Sequence, residues 1–340
     1  MALILLRMAC MNVLLAAAVA VTTLVPLNDL GPNPYAFGYY GGLWDVKNTG
    51  DTTIPPDHAA AGLCSAAKIQ PRDRDGNPDP NGKIGFLAVG YGNTRKTFEQ
   101  FEAIAAADPH VNHDSLVLLN AAFDHIDAPQ WEQPWNLIYG GVSNNVLAPA
   151  GISEAQVQVV WLQQINEHPF IPLPIQYADA YVVKGEIANA LRALKTWYPN
   201  LQIAYLSSPE YSGYDTDHVL GEPFAYEDGL SVRWVILGQI EFMRKGEIWD
   251  PRIADLSYDE GKAPWTTWGP YLWANGATPR SDGLTWLRSD FTSDGFTLSE
   301  AGARKSAGLL MKFLLGEPTA APWFVPAPAS TPIRRRSARR

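Results

Sequence analysis

Residues 83–101 read K-I-G-F-L-A-V-G-Y-G-N-T-R-K-T-F-E-Q-F, and the fold turns on how this stretch is read. Residues 84–89 are a short apolar run suited to a strand buried on both faces. Gly90 and Gly92 punctuate it, and Thr94 is placed to cap a helix carrying Phe98 and Phe101. Strand, tight glycine turn and helix make the first unit of a parallel α/β sheet. Ligands of such sheets bind at the carboxyl ends of the strands, so Gly90, Gly92, Asn93 and Thr94 are the first candidate site residues. A dinucleotide fingerprint competes for the glycines, but G-Y-G-N-T-R has no third glycine at the required spacing.

Further units follow. Residues 116–119, 157–161 and 201–206 read as strands, and 57–69, 178–197, 228–244 and 299–315 as helices, the last capped by Ser299. In 178–197 the apolar positions Val182, Ile187, Ala190, Leu191 and Leu194 mark the buried face, and in 228–244 Val232, Val235, Ile236 and Ile240 do. Residues 265–273 are dense in aromatics around Gly269-Pro270 and read as a strand and turn near the crevice. Residues 28–56, rich in Gly, Pro and Tyr, read as an irregular wrapping whose aromatics seal the domain edge, with a sugar-stacking platform as the sharper alternative.

The order and content of these stretches resemble the SGNH (GDSL-type) hydrolases, in particular an exported bacterial branch whose first block is similar to G-M-S-N-T. G-Y-G-N-T carries the resemblance, and Q-V-Q-V-V-W, P-N-L-Q-I-A-Y-L-S-S, E-P-F-A-Y-E, W-G-P-Y-L-W-A-N-G, P-R-S-D-G-L-T-W, D-G-F-T-L-S and A-P-W-F continue it in order. The resemblance implies a three-layer α/β/α sandwich with a mostly parallel, flavodoxin-like sheet, and carboxyl-ester hydrolysis on acyl or carbohydrate esters. By the same resemblance, Gly92 stands where the family has its nucleophilic serine. Asp294 stands at the orienting carboxylate, and Thr297 at the general-base histidine. A glycine has no nucleophile, and a threonine hydroxyl does not take up a proton near neutral pH as imidazole does.

Three further residues fall at the expected crevice. After the second strand, Asp124 and His125 occupy a loop where the family has a glycine whose amide helps hold the oxyanion, and a carboxylate there opposes the charge such a hole stabilises. After the third strand, Gln163 sits near the family's asparagine donor. It reads either as a similar amide one methylene longer or as a surface glutamine opening a loop. The resemblance therefore implies a catalytically degraded homologue that keeps a crevice for a small-molecule or glycan ester. The alternative is an active ester hydrolase with a relocated nucleophile (Thr94, Ser207 or Ser208) and base (His125 or His218).

Composition bounds the rest. The chain has 340 residues and a net charge of −9, and Arg334, Arg335, Arg336, Arg339 and Arg340 all lie in its last seven residues, so the body is more acidic still. That argues against a nucleic-acid partner. Residues 1–20 read as an export signal, with Arg7 before an apolar run and Ala18-Val19-Ala20 as the cleavage site; an uncleaved anchor reaching Leu27 is the other reading. Residues 21–325 are expected to form one domain in an exported, secreted or periplasmic protein, and 326–340 a disordered Pro- and Arg-rich tail. Once the signal and Cys10 are removed, Cys64 is the one cysteine, expected as a small buried residue.

No metal site or cofactor is expected. Residues 73–82 alternate acids and amides as a calcium loop would, but Pro78 and Ile84 break the EF-hand pattern, and the stretch reads as a surface turn. His110 and His113 precede the second strand, on the amino-end face away from the crevice.

Overall fold

The computed structural model describes residues 24–35, 38–44, 49–216 and 220–326. The expected export signal, Cys10, His218 and the tail beyond residue 326 lie outside them. In chain order come the two-residue strands β1 (Pro34–Tyr35) and β2 (Tyr39–Tyr40), helix α1 (Pro56–Ala66), β3 (Ile84–Gly90), α2 (Gly92–Ala107) and β4 (Leu116–Ala122). The short helices α3 (Ala128–Trp131) and α4 (Leu137–Val142), β5 (Val157–Gln163), α5 (Asp179–Trp197), β6 (Ile203–Ser207), α6 (Phe224–Lys245), β7 (Trp265–Trp268), α7 (Glu300–Gly316) and α8 (Ala321–Phe324) follow.

Strands β3 to β7 form one parallel sheet in the order β4-β3-β5-β6-β7. Alternation along the strands assigns side chains to two cores. Phe86, Ala88, Val159, Trp161, Ile203 and Tyr205 face one layer, where Phe98 and Phe101 of α2 and Leu310 and Leu314 of α7 meet Trp323 and Phe324. Leu87, Val89, Val160, Leu162, Ala204 and Leu206 face the other, built from α5 and α6. The sheet is thus the middle of a three-layer α/β/α sandwich, which is why β3 and β5 are apolar at nearly every position and buried throughout.

The strand order places the site. The chain runs from β3 outward to β4, then returns to the other side of β3 for β5, so the connections leaving β3 and β5 diverge and open a crevice at their carboxyl ends. In register, Gly90 lies level with Ala122 on one side and Gln163 on the other.

Of residues 28–56, expected to wrap the domain edge, Tyr35 packs beside α6 and Leu43 beside the edge strand β7. The Tyr35 hydroxyl donates to Glu227 at 2.7 Å, and Trp268 Nε1 donates to the Leu43 carbonyl at 2.9 Å. Four local expectations are corrected. Thr94 is not a cap, because α2 begins at Gly92 after Tyr91 and the Thr94 hydroxyl turns back to β5. Cys64 is exposed, on the outer face of α1, and Val182 is likewise exposed, while the other expected positions of that face, Ile187, Ala190, Leu191 and Leu194, are buried. Finally, β5 extends two residues past Trp161, which carries Gln163 into the sheet.

Candidate functional site

The site is built in two levels at the carboxyl ends of β3, β4 and β5. The lower level is a buried hydrogen-bonded floor. A Cβ on Gly90 would stand 2.3 Å from the Gln163 carbonyl oxygen and 2.3 Å from Thr94 Oγ1, so only glycine lets α2 approach β5 this closely. Across that contact the Thr94 hydroxyl donates to Gln163 Oε1 at 2.9 Å. Gln163 Nε2 in turn donates to the Ser208 carbonyl at 3.0 Å and to Glu210 at 3.2 Å. Glu210 also accepts from the Ser306 hydroxyl at 2.8 Å and the Tyr91 hydroxyl at 3.4 Å. Burial pushes the Glu210 carboxyl up, more than these donors bring it down.

Gln163 therefore corrects both of its sequence readings. It is fully buried, neither a surface residue nor a free amide aimed into the crevice. Thr94 and Gly90 are floor residues for the same reason.

Asn93 ties the first block to the last. Its Nδ2 donates to the Phe296 carbonyl at 3.0 Å and its Oδ1 accepts from the Leu298 N–H at 2.9 Å, which fixes residues 296–298 beside the start of α2. Thr297 is thereby brought to the crevice opposite Gly92. Asp294 is engaged elsewhere. Its Oδ1 accepts from the Thr292 hydroxyl and from the N–H groups of Phe296 and Thr297 at 2.8–2.9 Å, closing the turn that carries Gly295 at φ +77°. Burial raises this carboxyl, but hydrogen bonds from the Phe296 backbone, the side chain and backbone of Thr297 and the Thr292 side chain outweigh it, and its pKa lies below the ordinary value.

The upper level is an open hollow of about 360 Å³ whose wall includes Gly92, Arg95, Asp124, His125, Glu167 and Thr297. Arg95 Nη2 contacts both Asp124 oxygens at 3.1 and 2.9 Å, its Nε reaches Oδ1 at 3.3 Å, and its Nη1 binds Glu99 at 2.6 Å. Asp124 Oδ1 stands 2.7 Å from where a Cβ on Gly92 would project. Gly92 itself has no left-handed φ, so the reason for glycine here is the neighbouring carboxylate and not a strained turn. His125 does adopt the left-handed region, at φ +60°, a conformation that favours glycine. Its ring is exposed, with Nδ1 3.5 Å from Glu167.

The structure thus brings Gly92, Asn93, Asp124, His125 and Thr297 around one hollow, and places Gly90, Thr94 and Gln163 beneath it. The relocated hydroxyls are all engaged: Thr94 with Gln163, Ser207 accepting from Trp161 Nε1 at 2.9 Å, and Ser208 accepting from the Leu272 and Trp273 N–H groups at 3.0 and 3.2 Å. Among the described residues, the histidine ring nitrogens with a hydrogen-bond or ion-pair partner meet backbone carbonyls or carboxylates, not serine or threonine hydroxyls.

Sequence reading missed Arg95, Lys96, Glu167 and Glu210. Arg95 and Lys96 sit inside the quoted block and were legible as its next two residues. Glu167 and Glu210 lie in loops with no pattern to mark them. Lys96 Nζ donates to the Leu298 carbonyl at 3.1 Å, a second tie between the two blocks.

A larger hollow of about 580 Å³ lies at the amino ends of the strands, lined by residues such as Pro71, Asn81, Asn112 and Ser115. Near it, His110 and His113 turn to the side chain and carbonyl of Asp108, as a solvated connection does. Asp73 accepts from the N–H groups of Asp75 and Asn77 within its own turn. Among the described residues no group of three or more His, Cys, Asp or Glu side chains is arranged to hold a metal ion, and no helix is long and apolar enough to cross a membrane.

Compared with known proteins, the chain matches no family model, no curated protein and no solved structure.

Proposed function

We propose that this is an SGNH-hydrolase-like protein whose crevice binds a ligand, with a glycan or small-molecule ester as the favoured class, without performing the family's acyl transfer. One observation carries the reading: the volume a nucleophilic side chain at residue 92 would fill holds the Asp124 carboxylate, which Arg95 fixes in place. Acyl transfer needs a nucleophile, a base within hydrogen-bond reach and donors aimed at the oxyanion. Here the 92 position has no side chain, Thr297 offers no imidazole, and Asp294 is engaged with its own turn. Export to the periplasm or the exterior is part of the same proposal and rests on residues 1–20.

The second reading, an ester hydrolase with relocated groups, is favoured by the position of His125 beside Glu167 at the crevice, a base with a carboxylate behind it. The experiment that tests both is hydrolysis of p-nitrophenyl acetate at high protein concentration, alongside labelling with a serine-directed fluorophosphonate. The expected outcome is no stoichiometric label and no turnover above that of a Thr94→Ala, Ser207→Ala, Ser208→Ala variant. Turnover that the triple variant or His125→Ala abolishes would replace the first reading with the second.

A further inference from the structure

Three features of the crevice converge on one residue. Arg95 presents its Nε–Nη2 edge, the fork that matches a carboxylate or phosphate, and that edge is wholly occupied by Asp124, while Nη1 is held by Glu99. Gly92 leaves the space into which Asp124 Oδ1 reaches. The Asp124 side chain is itself 56% exposed at the wall of the hollow, so it sits where an incoming ligand would sit and not in the protein core.

Resting on the crevice reading above, we propose that Asp124 is a built-in occupant of a latent anion subsite centred on Arg95, and thereby the residue that makes the crevice turn away carboxylates and phosphates. An external anion must displace three Arg95 contacts and approach a fixed negative charge, with Glu167 a second carboxylate on the same wall and Lys96, also on the wall, engaged with the Leu298 carbonyl. Exclusion by an unfavourable group is as effective a route to specificity as attraction by a favourable one. With Asp124 removed, the Nε–Nη2 edge of Arg95 is freed while Nη1 keeps its contact with Glu99. The subsite then accepts a monoanion of carboxylate or phosphate chemistry, which points the crevice of the intact protein toward ligands uncharged at this end.

The test is titration of inorganic phosphate and of acetate, at constant ionic strength, into the folded wild-type protein, Asp124→Ala, Asp124→Asn and the Asp124→Ala, Arg95→Met double variant, followed by amide chemical shifts of residues 91–96. Wild type should bind phosphate weakly and Asp124→Ala roughly tenfold more tightly or better, while Asp124→Asn, whose amide oxygen still accepts from the Arg95 fork but carries no charge, should gain less. The double variant should lose that gain. Asp124→Asn keeps the side-chain volume and guards against a packing effect, and circular dichroism verifies that each variant is folded. Equal phosphate binding by wild type and Asp124→Ala overturns the proposal. So does a gain that survives loss of Arg95. The readout is binding, so these outcomes are separate from ester turnover. Hydrolysis by the wild type would overturn the non-catalytic reading while leaving the Asp124 assignment standing.

Discussion

Beneath the crevice, Thr94, Gln163, Ser208 and Glu210 are buried and direct their polar atoms at one another; at its wall, Arg95, Asp124, His125 and Glu167 are partly or largely exposed, Arg95 forming an ion pair with Asp124 and the His125 ring lying beside Glu167. Both sets sit at the ends of the same strands, yet only the second can meet a ligand. In the floor, each polar atom withdrawn from water needs a partner, so hydroxyls and amides that look reactive in a sequence are consumed by satisfying their neighbours. At the rim water is the alternative partner, so ion pairs there contribute little to the stability of the fold. A residue's chemical type is thus a weaker guide to function than the level on which the fold places it.

Breaking the floor should have the largest effect. Gln163→Leu removes the acceptor of Thr94 and the donor to Ser208 and Glu210, leaving several buried groups unpaired. It should cost about 3 kcal/mol in urea-induced unfolding. A loss below about 1 kcal/mol would mean that the floor is hydrated and no different from the rim.

The floor should also respond to pH. The Glu210 carboxyl is raised by burial, so above its ordinary value of 4.5 the folded chain retains a proton that the unfolded chain has released. Its contribution to stability is complete below pH 4.5 and is lost as pH rises through the folded pKa. The midpoint of thermal unfolding should therefore fall as pH rises above 4.5, and Glu210→Gln should reduce that fall; an unchanged slope in the variant would remove Glu210 as a source of it.

At the rim, effects should be smaller and coupled. Gly92→Ser places a Cβ against the Asp124 carboxylate and should destabilise by about 1 kcal/mol, whereas in an Asp124→Gly background the same change should cost little, a non-additivity readable in a double-mutant cycle. The same logic governs recovery of catalysis. Gly92→Ser with Thr297→His should give measurable hydrolysis of activated esters only when Asp124→Gly is added, because nucleophile and base act as one unit and the carboxylate blocks both the serine and the oxyanion. Activity without the third change would show that Asp124 swings aside freely.

His125→Gly should be neutral or raise stability by up to about 1 kcal/mol, because glycine adopts φ +60° without a Cβ penalty. The smallest effect is expected of Asp294→Asn, which keeps an oxygen for the Phe296 and Thr297 N–H groups and loses only the charge. Roughly 0.5 kcal/mol in stability, with no change in ligand binding, is the expected outcome. A large loss of any activity would give Asp294 a triad-like part after all.

The fold was legible because its signals are local. The run from Ile84 to Val89 between a charged turn and a glycine pair has little choice but to be a buried strand, and Ser299 followed by an amphipathic run begins a helix there, its hydroxyl accepting from the Gly302 N–H at 3.2 Å. The vacancies at Gly92 and Thr297 were equally visible, since a missing hydroxyl or imidazole is a matter of residue type alone. What tertiary structure decided was direction and partnership. Whether Thr94 caps a helix or turns under it, whether Gln163 faces solvent or Glu210, and whether Asp124 opposes an empty site or is held by Arg95 depend on which strands lie side by side. Thr94 and Gln163, 69 positions apart, meet because β3 and β5 are neighbours in the sheet, and Asn93 and Phe296, 203 apart, because α7 packs on α2. Periodicity along a chain records which face of an element is buried, but the polar partner waiting on that face belongs to another element, and no local pattern carries its name.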